Sequence, residues 1–419
     1  MRRVRIGEWS DLGEDTLLKL RLNLPPGGWF PALQILSWCI TETNLPYVDL
    51  FLSPHLKKIS IRASWLWDNS RVPQDILPAI ASTISTLPTS SLQSLLVGDH
   101  RTMPWAYFKD SFSSVVLRCG PSFTEYICPV PLSDAAVNHL VQLPHLCIWR
   151  THGPPPNYPL SSLPLVFPPL KKLILAEGGA HGWLSLYRRL WDGTSTTQDV
   201  TPLDNVKKSL GSLEIDNLPG LIVDASFVSP IQMFCNMVHL NMAVFCHGAN
   251  DAGRCAFKLN NDDVAKLTTA LPQLKSLRLG TPCFENACAT SVACLLPISV
   301  HCVHLESLEV HFNTTNIVAD FMNISEDPRF QQLRSLPRCL LLTSLDVYRI
   351  PLTLDEACVE TVAQGMIDIF PSLTYCEGVE RGWDEVSRRI VDLQEDELVG
   401  MTSSFLFVWY ITEPQAQRE

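Results

Sequence analysis

A short phrase, Pro-x-Leu-x-x-(Leu/Ile), returns along this chain and constrains what it can fold into. It reads Pro31-Ala32-Leu33-Gln34-Ile35-Leu36 and Pro54-His55-Leu56-Lys57-Lys58-Ile59. It returns as Pro168-Pro169-Leu170-Lys171-Lys172-Leu173 and Pro272-Gln273-Leu274-Lys275-Ser276-Leu277. A recurring phrase of this kind implies stacked units, each burying its apolar face on its neighbours.

A looser pattern, Leu-x-x-Leu-x-Leu with other apolar residues allowed, marks units at Leu33, Leu56, Leu92, Phe123, Leu146, Leu170, Leu210, Met237, Leu274, Leu305, Leu342 and Leu373. Apolar triplets decide little in a chain that is 46% hydrophobic, so the flanks carry the argument. Proline is 31 of 419 residues, so twelve arbitrary positions would hold about one. Here Pro31, Pro54, Pro144, Pro168, Pro272 and Pro371 stand two residues before the first apolar position. Proline lacks an N–H and ends a helix just before a strand begins.

The spacing from Leu33 to Leu56 is 23 residues, and from Leu305 to Leu342 it is 37. The short spacings fit leucine-rich repeats, and the long ones require insertions or longer helices. Between the phrases lie amphipathic stretches. Leu354 to Phe370 places Val359, Val362, Ala363, Met366, Ile367 and Phe370 on one helical face, with Thr353 and Glu356 read as a capping box. Further helices are expected from Ser133 to Leu143, from Asn261 to Leu271, and from Asp384 to Leu398. The expected fold is an α/β right-handed leucine-rich-repeat solenoid, or horseshoe, with irregular repeats, a parallel concave β-sheet and outer helices. Residues 1–30 are expected to form an N-terminal cap, 31–376 the solenoid, and 377–419 a C-terminal capping helix and acidic tail.

The charge balance narrows the partners. A net charge of −11 opposes non-specific binding to nucleic acid. No apolar run is long enough to span a membrane, and Met1-Arg2-Arg3-Val4-Arg5 leads into no apolar segment of a signal peptide. The 14 cysteines include no C-x-x-C pair, which implies reduced thiols and a cytoplasmic or nuclear location. His301, His304 and His311 lie near Cys283, Cys288, Cys294 and Cys302, but the spacings are too wide for paired zinc ligands. No cofactor, metal or catalytic residue is expected. No G-x-S-x-G, H-E-x-x-H or phosphate-binding glycine loop occurs.

Trp29-Phe30-Pro31-Ala32-Leu33, Asn44-Leu45-Pro46-Tyr47-Val48-Asp49-Leu50-Phe51, Leu143-Pro144-His145-Leu146 and Phe370-Pro371-Ser372-Leu373 together resemble the leucine-rich-repeat region of F-box proteins from mushroom-forming fungi. The resemblance covers roughly residues 1 to 390. It implies a non-catalytic interaction scaffold that holds a protein substrate for a cullin-type ubiquitin ligase. Binding of Skp1 and cullin would need an F-box upstream, because the chain carries no Leu-Pro-x-Glu-like opening.

The repeat columns nominate a partner-binding face. The residue before the second apolar position is Ser94, Ser212, Ser276, Ser307 and Ser344 in five units. Two positions further on stand Glu214, Asn241, Arg278, Glu309 and Asp346 in the units that carry them. Ser276, Ser307 and Ser344 would leave room for a protein partner, and Glu214, Asn241, Arg278, Glu309 and Asp346 would supply charge for specificity. Trp65 and Trp67 offer either a partner anchor or core. The alternative reading is an α/β hydrolase or transferase whose helix–strand alternation mimics repeats.

Overall fold

A computed structural model of the protein describes residues 3–6, 14–23, 30–41, 44–63, 76–98, 105–152, 170–176, 184, 209–215, 222–243, 256–280, 288–326, 339–347, 352–378 and 382–396. Trp65 and Trp67, the proline-rich stretch after 152, the polar stretch 191–202 and the chain after 396 lie outside the described residues. The chain divides into two compact units, Met1–Leu218 and Pro219–Glu419.

The first unit holds β1 (Arg3–Ile6), β2 (Ile35–Ile40), β3 (Lys58–Ala63), β4 (Ser94–Val97), β5 (Glu125–Ile127), β6 (Ile148–His152), β7 (Lys172–Ala176) and β8 (Ser212–Ile215). Each pairs in parallel with the next in chain order. The second unit holds β9 (His239–Ala243), β10 (Ser276–Gly280), β11 (Ser307–Val310), β12 (Ser344–Asp346) and β13 (Tyr375–Glu377), again parallel and in order.

The recurring phrase explains where strands begin. Leu33, Leu56, Leu92, Phe123, Leu146, Leu170, Leu210, Met237, Leu274, Leu305, Leu342 and Leu373 are all 0% exposed, and each precedes a strand by two residues. The proline does more than stop a helix. The Leu33 amide donates to the Phe30 carbonyl, Leu56 to Ser53, Leu274 to Leu271, and Leu373 to Phe370. Pro31, Pro54, Pro272 and Pro371 therefore sit at the second position of a tight turn, where their fixed φ is already suitable. The turn drops the apolar anchor into the core and releases the chain into the ladder. The amides of Lys57 and Lys58 then both donate to the Gln34 carbonyl, and those of Gln93 and Ser94 to that of Lys57.

Within the strands burial alternates. Leu36, Trp38 and Ile40 of β2 are buried, while Ile35, Ser37 and Cys39 are half-buried. Each sheet therefore has one apolar, covered face and one partly open face. Helices supply the cover. Asp134–Val141 is capped by Ser133, whose hydroxyl accepts from the Ala136 amide. Asn261–Ala270 carries a capping box made by Asn260 and Asp263. Glu356–Ile369 buries Val359, Val362, Ala363, Met366 and Ile367. Its cap differs from the expected Thr353 and Glu356: the Asp355 carboxylate accepts from the Cys358 amide at 2.8 Å. Asp355 has the extended backbone that a cap requires, so the helix starts at Glu356, two residues later than expected. Gly365 sits in that helix where an added Cβ would strike the Phe321 ring, so the close approach of Ile317–Glu326 depends on its missing side chain. Residues 382–396 are helical, and Trp383, Val386 and Ile390 bury one face. No helix among the described residues is long and apolar enough to cross a membrane.

The expected leucine-rich-repeat horseshoe is corrected here. The structure is an all-parallel α/β sheet architecture with flanking helices. A repeat solenoid stacks copies of one unit, and these connections are not copies. The Leu45–Phe51 connection between β2 and β3 is a 3-10 helix. Those before β10 and β13 are α-helices of 10 and 14 residues. From Ile35 to Lys58 the chain advances 23 residues, and from Lys172 to Ser212 it advances 40. The unequal spacings are plain in the sequence, but they read as irregular repeats because one turn phrase serves connections of any length.

Leu308 is 1% exposed at the centre of β11, and its neighbour Glu309 faces the open side. Leu308→Ala is expected to cost about 2–5 kcal/mol, as for other buried leucines. Glu309→Ala should cost under about 1 kcal/mol in chemical denaturation. Equal losses would refute this assignment of faces.

Candidate functional site

The open face of the first sheet brings together three side chains that are far apart in sequence. Register pairs Lys58 with Ser94, and Ser94 with Glu125, across β3, β4 and β5. Each stands two residues after its buried anchor, so the repeated turn places all three in one row. Ser94 is 6% exposed. Its hydroxyl donates to Glu125 Oε2 at 2.5 Å, within the range of a charge-assisted O–H···O⁻ bond. The Lys58 ammonium lies 3.6 Å from the same oxygen. A hydroxyl aimed at a carboxylate, with a cation beside it, can pass its proton to that carboxylate when the oxygen attacks an electrophile.

The row occupies the N-terminal starts of its strands. Ligand crevices of open parallel sheets usually lie beyond the opposite ends. The chemistry of this row therefore rests on its side chains alone.

The eight residues expected on a binding face are divided between the units. Glu214 belongs to the first, where Lys172 Nζ lies 2.9 Å from its Oε2. Asn241, Arg278, Glu309 and Asp346 form one row of the second sheet, and Ser276 and Ser307 are register partners in the next row. Ser344 starts β12 opposite Tyr375. Arg278 Nε lies 2.6 Å from Glu309 Oε2. Burial raises the Glu309 carboxyl, the Arg278 guanidinium opposes that rise, and the Asp346 carboxylate adds to it.

Ser94 was visible in the serine column, but its role was not. Lys58 and Glu125 were missed outright. The signal was their common offset of two residues from Leu56, Leu92 and Phe123, which becomes adjacency only when the strands pair in register.

The cysteines and histidines of the second unit have different roles. Burial pushes the Cys294, Cys302 and Cys376 thiols up to about 12, so they stay protonated and poorly nucleophilic near neutrality. Among the described residues, no group of three or more His, Cys, Asp or Glu is arranged to hold a metal ion. His311 is 5% exposed, its carbonyl accepts from the Thr290 hydroxyl, and burial lowers its imidazole to about 4. Gly280, at φ 96°, passes so close that an added Cβ would meet the His311 Cβ.

No family model matches the chain, and no curated protein matches it. The resemblance to F-box leucine-rich-repeat proteins is thereby corrected, for it rested on short phrases that the turn geometry explains without common ancestry. The expectations of a ubiquitin-ligase adaptor and of a non-catalytic chain fall with it. The buried Ser94–Glu125 pair on a parallel α/β sheet fits a catalytic fold better.

His311 yields a pH signature. Its folded value, about 4, lies below the unfolded 6.5, so the unfolded chain binds more protons between these values. Stability is complete above about pH 6.5 and is lost as pH falls towards 4, by up to about 3 kcal/mol. Urea unfolding from pH 7 to pH 4 should show this loss in wild type, with a much smaller contribution in His311→Gln. Parallel profiles for the two proteins would refute it.

Proposed function

We propose that the chain is an α/β enzyme of the hydrolase or acyl-transferase type, working through Lys58, Ser94 and Glu125. One observation carries the reading: the 2.5 Å bond from the buried Ser94 hydroxyl to the Glu125 carboxylate. Ser94 is the nucleophile and Glu125 the proton acceptor. Lys58 supplies positive charge near the oxygen that becomes anionic as an acyl carbon is attacked. In the first half-reaction Ser94 Oγ bonds to the acyl carbon, its proton moves to Glu125, and the leaving alkoxide takes up that proton. Water, or an acceptor alcohol, then releases the acyl group by the reverse transfers.

An ordinary cross-strand polar pair would give the same contact without chemistry, so the test must separate the two. A fluorophosphonate probe followed by peptide mapping is expected to modify Ser94 in the folded protein. p-Nitrophenyl acetate turnover should vanish in Ser94→Ala and fall by about 10²-fold or more in Glu125→Gln. A folded wild type that gains no adduct at Ser94 and turns over no ester would overturn the reading. In that case the two substitutions would change melting temperature alone.

A further inference from the structure

The open face beside Ser94 is apolar where a solvated sheet face is normally polar. Leu96 and Ile127 are register partners on β4 and β5, two residues beyond Ser94 and Glu125. Both are half-buried, and they project opposite the core residues Leu95 and Tyr126. Ile148 on β6, also half-buried, pairs with Glu125. At the height of Leu96 and Ile127 the flanking strands return to polar residues. Ser37 and Ser60 pair on β2 and β3, Arg150 stands on β6, and Glu214 stands on β8. The matching row of the second sheet holds Asn241, Arg278, Glu309 and Asp346. Among the described residues of the row in the first unit, apolar side chains stand only on β4, β5 and β7, the last being Ile174 beyond Arg150. The exception therefore adjoins the Ser94–Glu125 pair.

We propose that Leu96, Ile127 and Ile148 form the acyl-binding surface of the Ser94 site, and that its substrate is an ester with an unbranched aliphatic acyl chain of medium length. The inference rests on the reading of Ser94 as the nucleophile. Strand rise and spacing put Leu96 about 7 Å and Ile127 about 8 Å from Ser94, backbone to backbone. A chain of a few methylenes attached to Ser94 Oγ spans that distance. Laying it there removes apolar surface of chain and protein from water together. Arg150 stands about 12 Å from Ser94 by the same measure and bounds the patch. An aliphatic chain that reached its guanidinium would strip water from a charge and return no hydrogen bond. That cost sets the upper limit on length. Continuity selects this occupant, because the patch shares one strand with Ser94 and another with Glu125. Whatever reacts at Ser94 must lie against it.

The test compares p-nitrophenyl acetate, hexanoate and the half-ester of adipic acid as substrates of the full chain. Wild type is expected to favour hexanoate over acetate about tenfold or more in kcat/KM, after correction for uncatalysed hydrolysis. The adipate half-ester, of equal length but charged, should be poorer than hexanoate. Ile127→Thr keeps the branched shape and should lower the hexanoate-to-acetate ratio several-fold. Leu117→Thr, at an exposed position of the helix Lys109–Leu117, should leave that ratio as it is. Should Ile127→Thr lose its fold, wild type supplies a second measurement. A fluorophosphonate with an alkyl tail should label Ser94 faster than one with an oligo(ethylene glycol) tail. Acetate turnover with no gain for hexanoate would overturn this proposal and leave the Ser94 reading standing. A preference for the adipate half-ester would also overturn it, since Arg150 would then be reading a carboxylate. So would self-association in sedimentation that Ile127→Thr abolishes, since a second copy would then cover the patch. No turnover of any ester and no label on Ser94 would overturn both.

Discussion

The structure depends on a tight turn that drives one apolar side chain into the core and frees the next residues to pair. The turn closes through an amide-to-carbonyl bond three residues apart, as from Leu56 to Ser53 and from Leu305 to Cys302. Parallel pairing requires every strand to start at the same height, because a slip of one residue would turn its apolar set to the open face. The fully buried anchor sets that height. Once Leu56 and Leu92 are seated, Lys57 and Lys58 meet Gln93 and Ser94 without further adjustment, and the same rule carries through each unit. What joins one strand to the next is then free to vary, from the 3-10 segment Leu45–Phe51 to the helix Glu356–Ile369.

Local polar chemistry supports this frame where the chain turns sharply. Asn44 is nearly buried, yet its side-chain oxygen accepts from the Trp38 indole and the Thr41 amide, and its amide donates to the Cys39 carbonyl. The Asn-Leu-Pro-Tyr phrase is therefore a self-satisfying corner that leads into the 3-10 segment. Such a corner explains why the phrase looks like a family signature. Its residues answer a hydrogen-bonding requirement that any chain turning there would face.

The same register that builds the core also gathers charge. The row Lys58, Ser94, Glu125 and the row Arg278, Glu309, Asp346 arise because side chains at one offset from successive anchors must stand beside each other. Their partners were fixed by neighbouring strands; the sequence carries only the shared offset, which lines up Arg278, Glu309 and Asp346 but says nothing of the contacts they make. Ser94 looked like a small side chain tolerating a crowded sheet, and only the arrival of Glu125 gives it a hydrogen-bond acceptor. The carboxylate row of the second sheet has the same origin. Glu309, Asp346 and Glu377 are separated by tens of residues and stand side by side only because the strands align.

The sequence by itself determined the twelve anchors, the strands that follow them, four of the helices and the buried face of Glu356–Ile369. These are local facts: a proline preset for a turn, an apolar residue at a fixed offset, and helical periodicity. It misplaced the cap of Glu356–Ile369 by two residues, because Thr353 and Asp355 carry equivalent cap signals and backbone geometry chose between them. It did not reveal β1, which has no anchor phrase and takes its place by pairing with β2. Tertiary structure alone decided that the unequal connections are not copies of one repeat, and that Ser94 would meet Glu125 and Lys58. Both are matters of long-range register, and register emerges from many buried anchors acting together rather than from any single stretch of chain.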